Sequence, residues 1–320
     1  MAAAPLIEES RGNWFLLLSK AYKFPPGMAL SLVVLGAYAS VLCLGDFHFN
    51  WWDIELPLTL HSLLGFVVSL LLVFRTNSAY ERWWEARKLL GNLNDSGRYV
   101  ALKLRSLAKL GLDERHRLAE WLCAYVWSIK EHLRDRNHEY SSTLVPPDYR
   151  VAYLHSPHKP IFLMYRLAEL AKGLHESGRL DGHELQVVET GLKPVGDLVG
   201  GLERIKNTPI PLAYTLHLRR IILLYVVTLP LGLVHDYHWW TVPIVMITFY
   251  IMAGIEFIGE EIEEPFGKDE NDLPVSQISV RICQSISAAL EVENPCQPTL
   301  MKASVSLKPS DYLPQPTGPN

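Results

Sequence analysis

The sequence predicts an all-α integral membrane protein with four transmembrane helices and a cytoplasmic helical domain. Three features indicate this fold class: four apolar segments, an uneven distribution of basic residues around them, and a long polar region with helical periodicity after the second segment. The composition agrees, because 49% of the 320 residues are hydrophobic and 20% are charged. A soluble domain usually carries about 25% charged residues. The chain therefore combines a membrane part with a soluble part.

The four apolar segments place the spans at about residues 28–45, 57–74, 218–234 and 237–256. The first, second and fourth are close to the ~20 residues that a spanning helix needs. The apolar part of the third, Ile221–Val234, is shorter. It crosses the bilayer only if its helix begins upstream, with Arg219 and Arg220 at the interface.

The basic residues predict the orientation of these spans. The connections within the two pairs, Asp46–Leu56 and His235–Trp240, contain no Lys or Arg. The opposite flanks contain Lys20, Lys23, Arg75, Arg82, Arg87, Lys88, Arg219 and Arg220. Because basic flanks favour the cytoplasmic side, we expect a multi-pass protein of a cell membrane, such as the bacterial inner membrane, with both termini cytoplasmic. No cleaved signal peptide is visible.

The region between the pairs, residues 76–209, reads as cytoplasmic helices without a sheet. Helical patterns cover Tyr80–Leu110, Asp113–Arg134, Pro160–Gly178 and Asp181–Arg204. We expect Asp113 to cap the second of these helices and the proline-containing residues 141–160 to form a loop. The tail, residues 291–320, is rich in proline and is expected to be disordered.

Motifs for catalysis, nucleic-acid binding and metal binding are missing from the sequence. The net charge of −4 leaves no basic footprint for nucleic acid. No HExxH, GxGxxG, Walker loop or GxSxG elbow occurs, so an enzyme is not expected. The cysteines, Cys43, Cys123, Cys283 and Cys296, are far apart and form no CxxC pair. This spacing argues against a zinc site and a disulfide framework, and favours buried, inert thiols.

Three motifs together resemble the bestrophin family of ion channels, and its prokaryotic branch in particular. They are FRTNSAYERWWEARKLLG at Phe74–Gly91, TPIPLAY at Thr208–Tyr214 and EPFGKDEND at Glu264–Asp272. The resemblance covers about Asn13–Leu290. It implies that residues 1–290 form a single channel unit and that five copies assemble in the lipid bilayer around a central pore. It also implies passive conduction of small monovalent ions, above all anions such as chloride.

The second span contains the candidate pore neck. Ser62, Phe66, Leu70 and Phe74 follow at intervals of four and so form one ridge along a helix. The residues alone equally allow this ridge to face lipid or another helix. The resemblance assigns Phe66, Leu70 and Phe74 to the neck. It likewise assigns Ile210, between two helix-breaking prolines, to a cytoplasmic constriction, although an apolar residue packed in a linker explains Ile210 nearly as well.

An acidic run after the fourth span suggests a metal site by resemblance. Calcium prefers several carboxylate oxygens, and animal members of the family hold calcium in the matching stretch. The candidate ligands are Glu261, Asp269 and Asp272, but Lys268 interrupts the run and Asn271 replaces a carboxylate. A solvated acidic turn is the default interpretation. We therefore expect that no cofactor is required, with calcium as the alternative.

Two other functions stay open at this point. An apolar neck does not fix the sign of the ion, and the acidic run would favour cations, so a cation channel of the same architecture is one alternative. A non-conducting membrane scaffold or sensor, whose cytoplasmic helices bind a partner, is the other.

Overall fold

The computed structural model describes residues 27–49, 57–136, 139–269 and 271–296. Within these ranges the protein is helical and contains no strand, as the sequence predicts. The helices are α1 (Met28–Phe49), α2 (Leu58–Leu107), α3 (Leu112–Leu133), α4 (Glu139–Leu144), α5 (Pro147–His155), α6 (Lys159–Glu176), α7 (Gly182–Asn207), α8 (Leu212–Tyr237), α9 (Thr241–Glu263) and α10 (Val275–Leu290). The predictions for Lys20, Lys23, most of the connection 46–56 and the tail from residue 297 lie outside the described residues.

The chain divides into two compact units. The membrane unit consists of the described residues up to Ser78 together with Ile210–Glu260. The helical unit consists of Ala79–Pro209 and the described residues from Glu261 onward. Helices α2 and α9 each begin in the membrane unit and end in the helical unit.

In the membrane unit, α8 and α9 form an antiparallel hairpin. A short 3-10 turn, His238–Trp240, separates the two helices, and His238 has a positive φ of 46°. At the other end, Arg219 of α8 pairs with Glu256 of α9 at 2.8 Å. Helix α8 begins at Leu212, upstream of the apolar segment, as the third predicted span requires of its helix.

Three helical stretches are long and apolar enough to cross a membrane: Met28–Phe47, Leu58–Leu107 and Leu212–Glu263. The third stretch contains both helices of the hairpin, α8 and α9. The four helices α1, α2, α8 and α9 share one apolar core. Its buried members are Leu35, Val68, Leu72, Leu218, Ile222, Val226, Leu229, Leu233 and Val245.

The helical unit is organised around α3, which is buried along most of its length. It packs against α6 and α10. The Tyr125 hydroxyl donates a hydrogen bond to the Val195 carbonyl of α7 at 2.9 Å. Such close packing on several sides explains why α3 contains large apolar residues on all its faces rather than along one stripe.

Two local predictions for the helical unit were wrong. Gly111, not Asp113, caps α3, and its N–H donates to the Glu114 carboxylate at 2.8 Å. Residues 141–160 do not form a continuous loop, because α4 extends to Leu144 and α5 begins at Pro147. Proline at the first position of a helix is favourable, since the N–H that it lacks would have no partner there.

Candidate functional site

The four predicted neck residues lie on an exposed face of α2. Phe66 is 67% exposed, Leu70 44% and Phe74 56% in the isolated chain. Ser62 is exposed as well, and its hydroxyl donates to the Leu58 carbonyl of its own helix at 2.9 Å. The ridge is therefore available to contact lipid, water or another subunit.

The packed face of α2 lies on the other side of the helix. Within the membrane unit its buried residues are His61, Val68, Leu72 and Arg75. At about 100° of rotation per residue, the centre of this face lies roughly 160–170° from the centre of the ridge. The neck residues thus point away from the core that α2 builds with its own subunit.

Close contacts with α8 fix this rotation of α2. A Cβ at Gly65 would lie 2.8 Å from the Tyr225 hydroxyl, so a larger residue there would displace the Tyr225 ring. The Tyr214 hydroxyl donates to the Leu71 carbonyl at 3.3 Å, and the His61 and Thr228 side chains hydrogen-bond at 3.3 Å. These contacts hold the packed face against α8 and thereby keep the ridge outward.

An ion pair inside the hairpin is a feature that the sequence did not reveal. Arg219 Nε contacts Glu256 Oε1 at 2.8 Å, and its Nη2 contacts Glu260 Oε2 at 2.6 Å. Glu256 is only 7% exposed. A charged residue in a span is costly unless it is paired, so this pairing explains how Arg219 is accommodated in α8.

Ile210 lies between α7 and α8, where Pro209 and Pro211 interrupt the helix as predicted. In the helical unit, the Arg82 guanidinium fixes the end of α7. It donates to the carbonyls of Ile205 at 2.7 Å and Thr208 at 2.5 Å, and to that of Glu263 at 3.3 Å. Arg82 thus anchors the segment that leads to Ile210.

The acidic residues 261–272 form a turn held by its own hydrogen bonds. The Asp269 N–H donates to Asp272 Oδ2 at 2.6 Å, and the Asn271 amide donates to Glu261 Oε2 at 2.6 Å. A Cβ at Gly267 would collide with the Asp272 carboxylate. N–H donors therefore occupy two of the oxygens that a cation would need.

The fit of calcium to this turn is mixed. Asp272 Oδ1 is buried and has no hydrogen-bond partner among the described residues, which would suit a cation. Burial, the dominant cause, raises the pKa of Asp272 to about 6. In the part of the chain that the structure describes, however, Glu261, Asp269 and Asp272 do not form a metal-sized cluster.

Three cysteines that the sequence keeps apart come together in the helical unit. The sulfurs of Cys123, Cys283 and Cys296 lie within 4.8 Å of one another. All four cysteines are buried, as predicted, but their spacing in the sequence does not indicate that three of them meet. Residues far apart in the chain meet here because α10 packs along α3.

A second cluster consists of His132, His158 and Glu203. Both imidazoles place Nε2 against the same oxygen, Glu203 Oε1, at 2.7 and 2.6 Å. The Ile161 N–H donates to His158 Nδ1 at 3.3 Å, so the neutral ring carries its proton on Nε2. A metal at that Nε2 would force a proton onto Nδ1, against the Ile161 N–H. The hydrogen bond from Ile161 therefore argues against a metal at His158 Nε2.

Comparison with known proteins identifies the family of the chain. The family model described as Bacterial/Fungal Bestrophin protein matches residues 7–288. A Synechocystis protein named voltage-dependent anion channel-forming protein is 33% identical over 274 residues, which cover 83% of this chain and 86% of that protein. A Nostoc protein with a corresponding name is 32% identical over 279 residues, covering 82% and 90%.

Solved structures also show similarity to bestrophins. A crystal structure of a bacterial bestrophin homologue from Klebsiella pneumoniae superposes with a TM-score of 0.78 at 26% sequence identity. The match covers 83% of this chain and 99% of that one. With its apolar helices, this chain is a multi-pass membrane protein, and it belongs to the bacterial and fungal bestrophin family.

Proposed function

We propose that the protein is an anion channel formed by five copies of this chain around a central pore. The observation that carries the proposal is the exposed ridge of Ser62, Phe66, Leu70 and Phe74, opposite the packed face of α2. One ridge from one subunit cannot enclose a water-filled path, whereas a ring of copies can. The same ridge would then form the narrow neck of the pore.

The membrane topology of this proposal has four spans, α1, the first part of α2, α8 and α9. The separation of α8 from α9 by a turn supports counting them as two spans, because the Arg219–Glu256 pair brings their far ends together. With basic residues on the cytoplasmic side, both termini are cytoplasmic. The bilayer is the inner membrane of a bacterium.

Conduction through such a neck depends on wetting. A narrow ring of Phe and Leu side chains excludes water, and an ion passes only when the ring widens enough to admit its hydration shell. Ile210 would form a second apolar constriction on the cytoplasmic side. Between them the ion needs no chemical step, so no catalytic residue and no cofactor are part of the mechanism.

Anions are the proposed cargo because the curated relatives are named as anion channel-forming proteins. An apolar neck does not itself select by charge. Cation conduction is the second candidate, favoured by the exposed carboxylates of Glu264 and Asp269, which would attract cations if they face the permeation path. A scaffold without conduction is the third.

Reversal potentials of the purified protein in planar bilayers test these candidates. In asymmetric NaCl, the reversal potential should move toward the chloride equilibrium potential, and toward that of sodium if cations pass. No current above that of empty bilayers would support the scaffold. Light scattering in detergent should give a protein mass of five subunits, and a monomer would contradict the pore.

A further inference from the structure

The cluster of Cys123, Cys283 and Cys296 is drawn from three different elements of the helical unit. Cys123 lies in α3, Cys283 lies in α10, and Cys296 follows α10 in a turn. The three side chains are 0%, 0% and 1% exposed. Buried cysteines can pack as small apolar residues, but three sulfurs within 4.8 Å of one another also have the spacing of ligands around one metal ion.

The surroundings of the sulfurs are not purely apolar. Trp127 Nε1 donates a hydrogen bond to Cys296 Sγ at 3.2 Å. The Tyr140 ring lies 4.3 Å from the Trp127 ring, and its hydroxyl is buried without a hydrogen-bond partner among the described residues. The Trp127 N–H stabilises negative charge on the Cys296 sulfur.

Cys296 is presented to the cluster by a defined turn. Its backbone N–H donates to the Asn294 side chain at 3.0 Å. The turn begins at Glu291, which has a left-handed backbone and pairs with Arg105 at 2.5 Å. Arg105 also donates to the Ala289 carbonyl at 2.9 Å. The third sulfur is thus held in position by contacts that do not involve the other two.

We propose that Cys123, Cys283 and Cys296 bind one thiophilic metal ion, either Cu(I) or Zn(II), through their three sulfurs. Thiolates select these soft or borderline ions over magnesium and calcium. Among the described residues, no histidine or carboxylate belongs to the cluster, which suits three-coordinate Cu(I). Zn(II) would need a fourth ligand, such as a water molecule.

Binding involves no oxidation or reduction of the protein. The metal forms bonds to three sulfurs, and the protons of those cysteines that were thiols pass to solvent. The ion would then join α3, α10 and the turn at Glu291–Cys296. Because the unfolded chain does not hold the three sulfurs together, binding should stabilise the folded helical unit.

The test uses full-length protein purified in detergent under reducing conditions. Titration with Cu(I), and separately with Zn(II), should saturate at one ion per chain and raise the melting temperature. Cu(I) should also produce a sulfur-to-metal absorption band in the near ultraviolet. Competition between the two ions then identifies the one that binds more tightly.

Variants of single cysteines make the test specific. Cys123→Ser, Cys283→Ser and Cys296→Ser should each weaken binding at least about tenfold, since even the loss of an outer partner of a metal ligand has such an effect. Cys43→Ser is the matched control, because Cys43 is buried in the membrane unit, outside the cluster. It should bind as the unaltered protein does.

Three results would overturn the site. The first is undiminished binding after all three replacements, and the second is the absence of saturable binding in folded, reduced protein. The third is a disulfide between two of these cysteines in protein isolated with its thiols trapped, which would make the cluster a covalent link instead. None of these results depends on whether the protein conducts ions.

Discussion

Leu70 and Leu72 are two residues apart in α2 and lie on opposite sides of it: Leu70 is 44% exposed and Leu72 is 3% exposed. Two helical positions correspond to about 200° of rotation. Leu72 belongs to the apolar core of the membrane unit, and Leu71 is partly buried against that core. The ridge and the core of α2 can therefore be perturbed separately.

Replacing Leu70 by alanine should increase the single-channel current. The smaller side chain widens the proposed neck and weakens its dewetting barrier. It should leave no cavity within the subunit, because Leu70 does not pack into the core. Current in planar bilayers and the melting temperature are the two measurements, and the latter should change little.

The controls for this experiment come from the structure rather than from the sequence. The sequence alone suggests Leu71 and Leu72 as control positions. Leu72→Ala, however, should destabilise the protein by about 2–5 kcal/mol, because it leaves a cavity in the core. Leu64 is 39% exposed and about 120° around the helix from Leu70, so Leu64→Ala is the matched variant. Equal currents in Leu70→Ala and Leu64→Ala would contradict the neck.

Arg82→Gln should lower the stability of the helical unit. The guanidinium donates to the carbonyls of Ile205, Thr208 and Glu263, and a charged hydrogen bond contributes about 1.5–3 kcal/mol. Lysine lacks the fork that reaches several acceptors, so Arg82→Lys should restore little of the loss. Arg87, an exposed neighbour in α2, provides the control in Arg87→Gln. If both glutamine variants melt alike, Arg82 does not fix the end of α7.

The membrane orientation can be tested by cysteine labelling. A cysteine placed at Asp236, which is exposed near the end of α8, should react with an impermeant reagent added outside intact cells. One placed at Lys103 of α2 should react only after permeabilisation. The four native cysteines are buried, so background labelling should be low. Reversed accessibility would show that the basic flanks lie outside.

Much of the fold could be predicted from the sequence because its signals are local. Apolar segments and the prolines around Ile210 identify the spans and the break before α8. The predictions that failed depend on distant contacts or on local caps. Cys123 and Cys296 lie close together because of helix packing, which their spacing in the sequence does not indicate. Arg219 pairs with Glu256 because α8 and α9 form a hairpin.

The current and the stability of the protein should not depend on calcium at the acidic turn. Because N–H donors face Asp272 Oδ2 and Glu261 Oε2, adding calcium or a chelator should change neither the current nor the melting temperature. A saturable rise of the melting temperature with calcium, lost in Asp272→Asn, would instead establish a calcium site at this turn.

Asp272 should also make stability depend on pH. Its pKa is raised to about 6 from an ordinary value of 3.8, chiefly by burial. As pH falls from neutral through about 6, the folded protein therefore takes up this proton before the unfolded chain does. The melting temperature of the unaltered protein should rise relative to that of Asp272→Asn between about pH 7 and pH 5. A constant difference would show that Asp272 is not buried in solution.

The His132, His158 and Glu203 cluster predicts the opposite pH dependence. Burial, and then the charge of His158, lower the pKa of His132 below its ordinary value, although Glu203 opposes this and Lys206 reinforces it. The folded state therefore binds this proton less readily than the unfolded state. Stability is fully present above the unfolded pKa of about 6.5 and falls as pH drops through it.

His132→Gln should reduce this loss of stability. Glutamine can still donate a hydrogen bond to Glu203, but it does not titrate. Between about pH 7 and pH 5, the melting temperature of His132→Gln should fall less than that of the unaltered protein. His183→Gln, which replaces an exposed histidine at the start of α7, is the control and should retain the full dependence. If His132→Gln keeps it too, the acid sensitivity arises elsewhere, because a neutral side chain at this position cannot take up the proton that drives it.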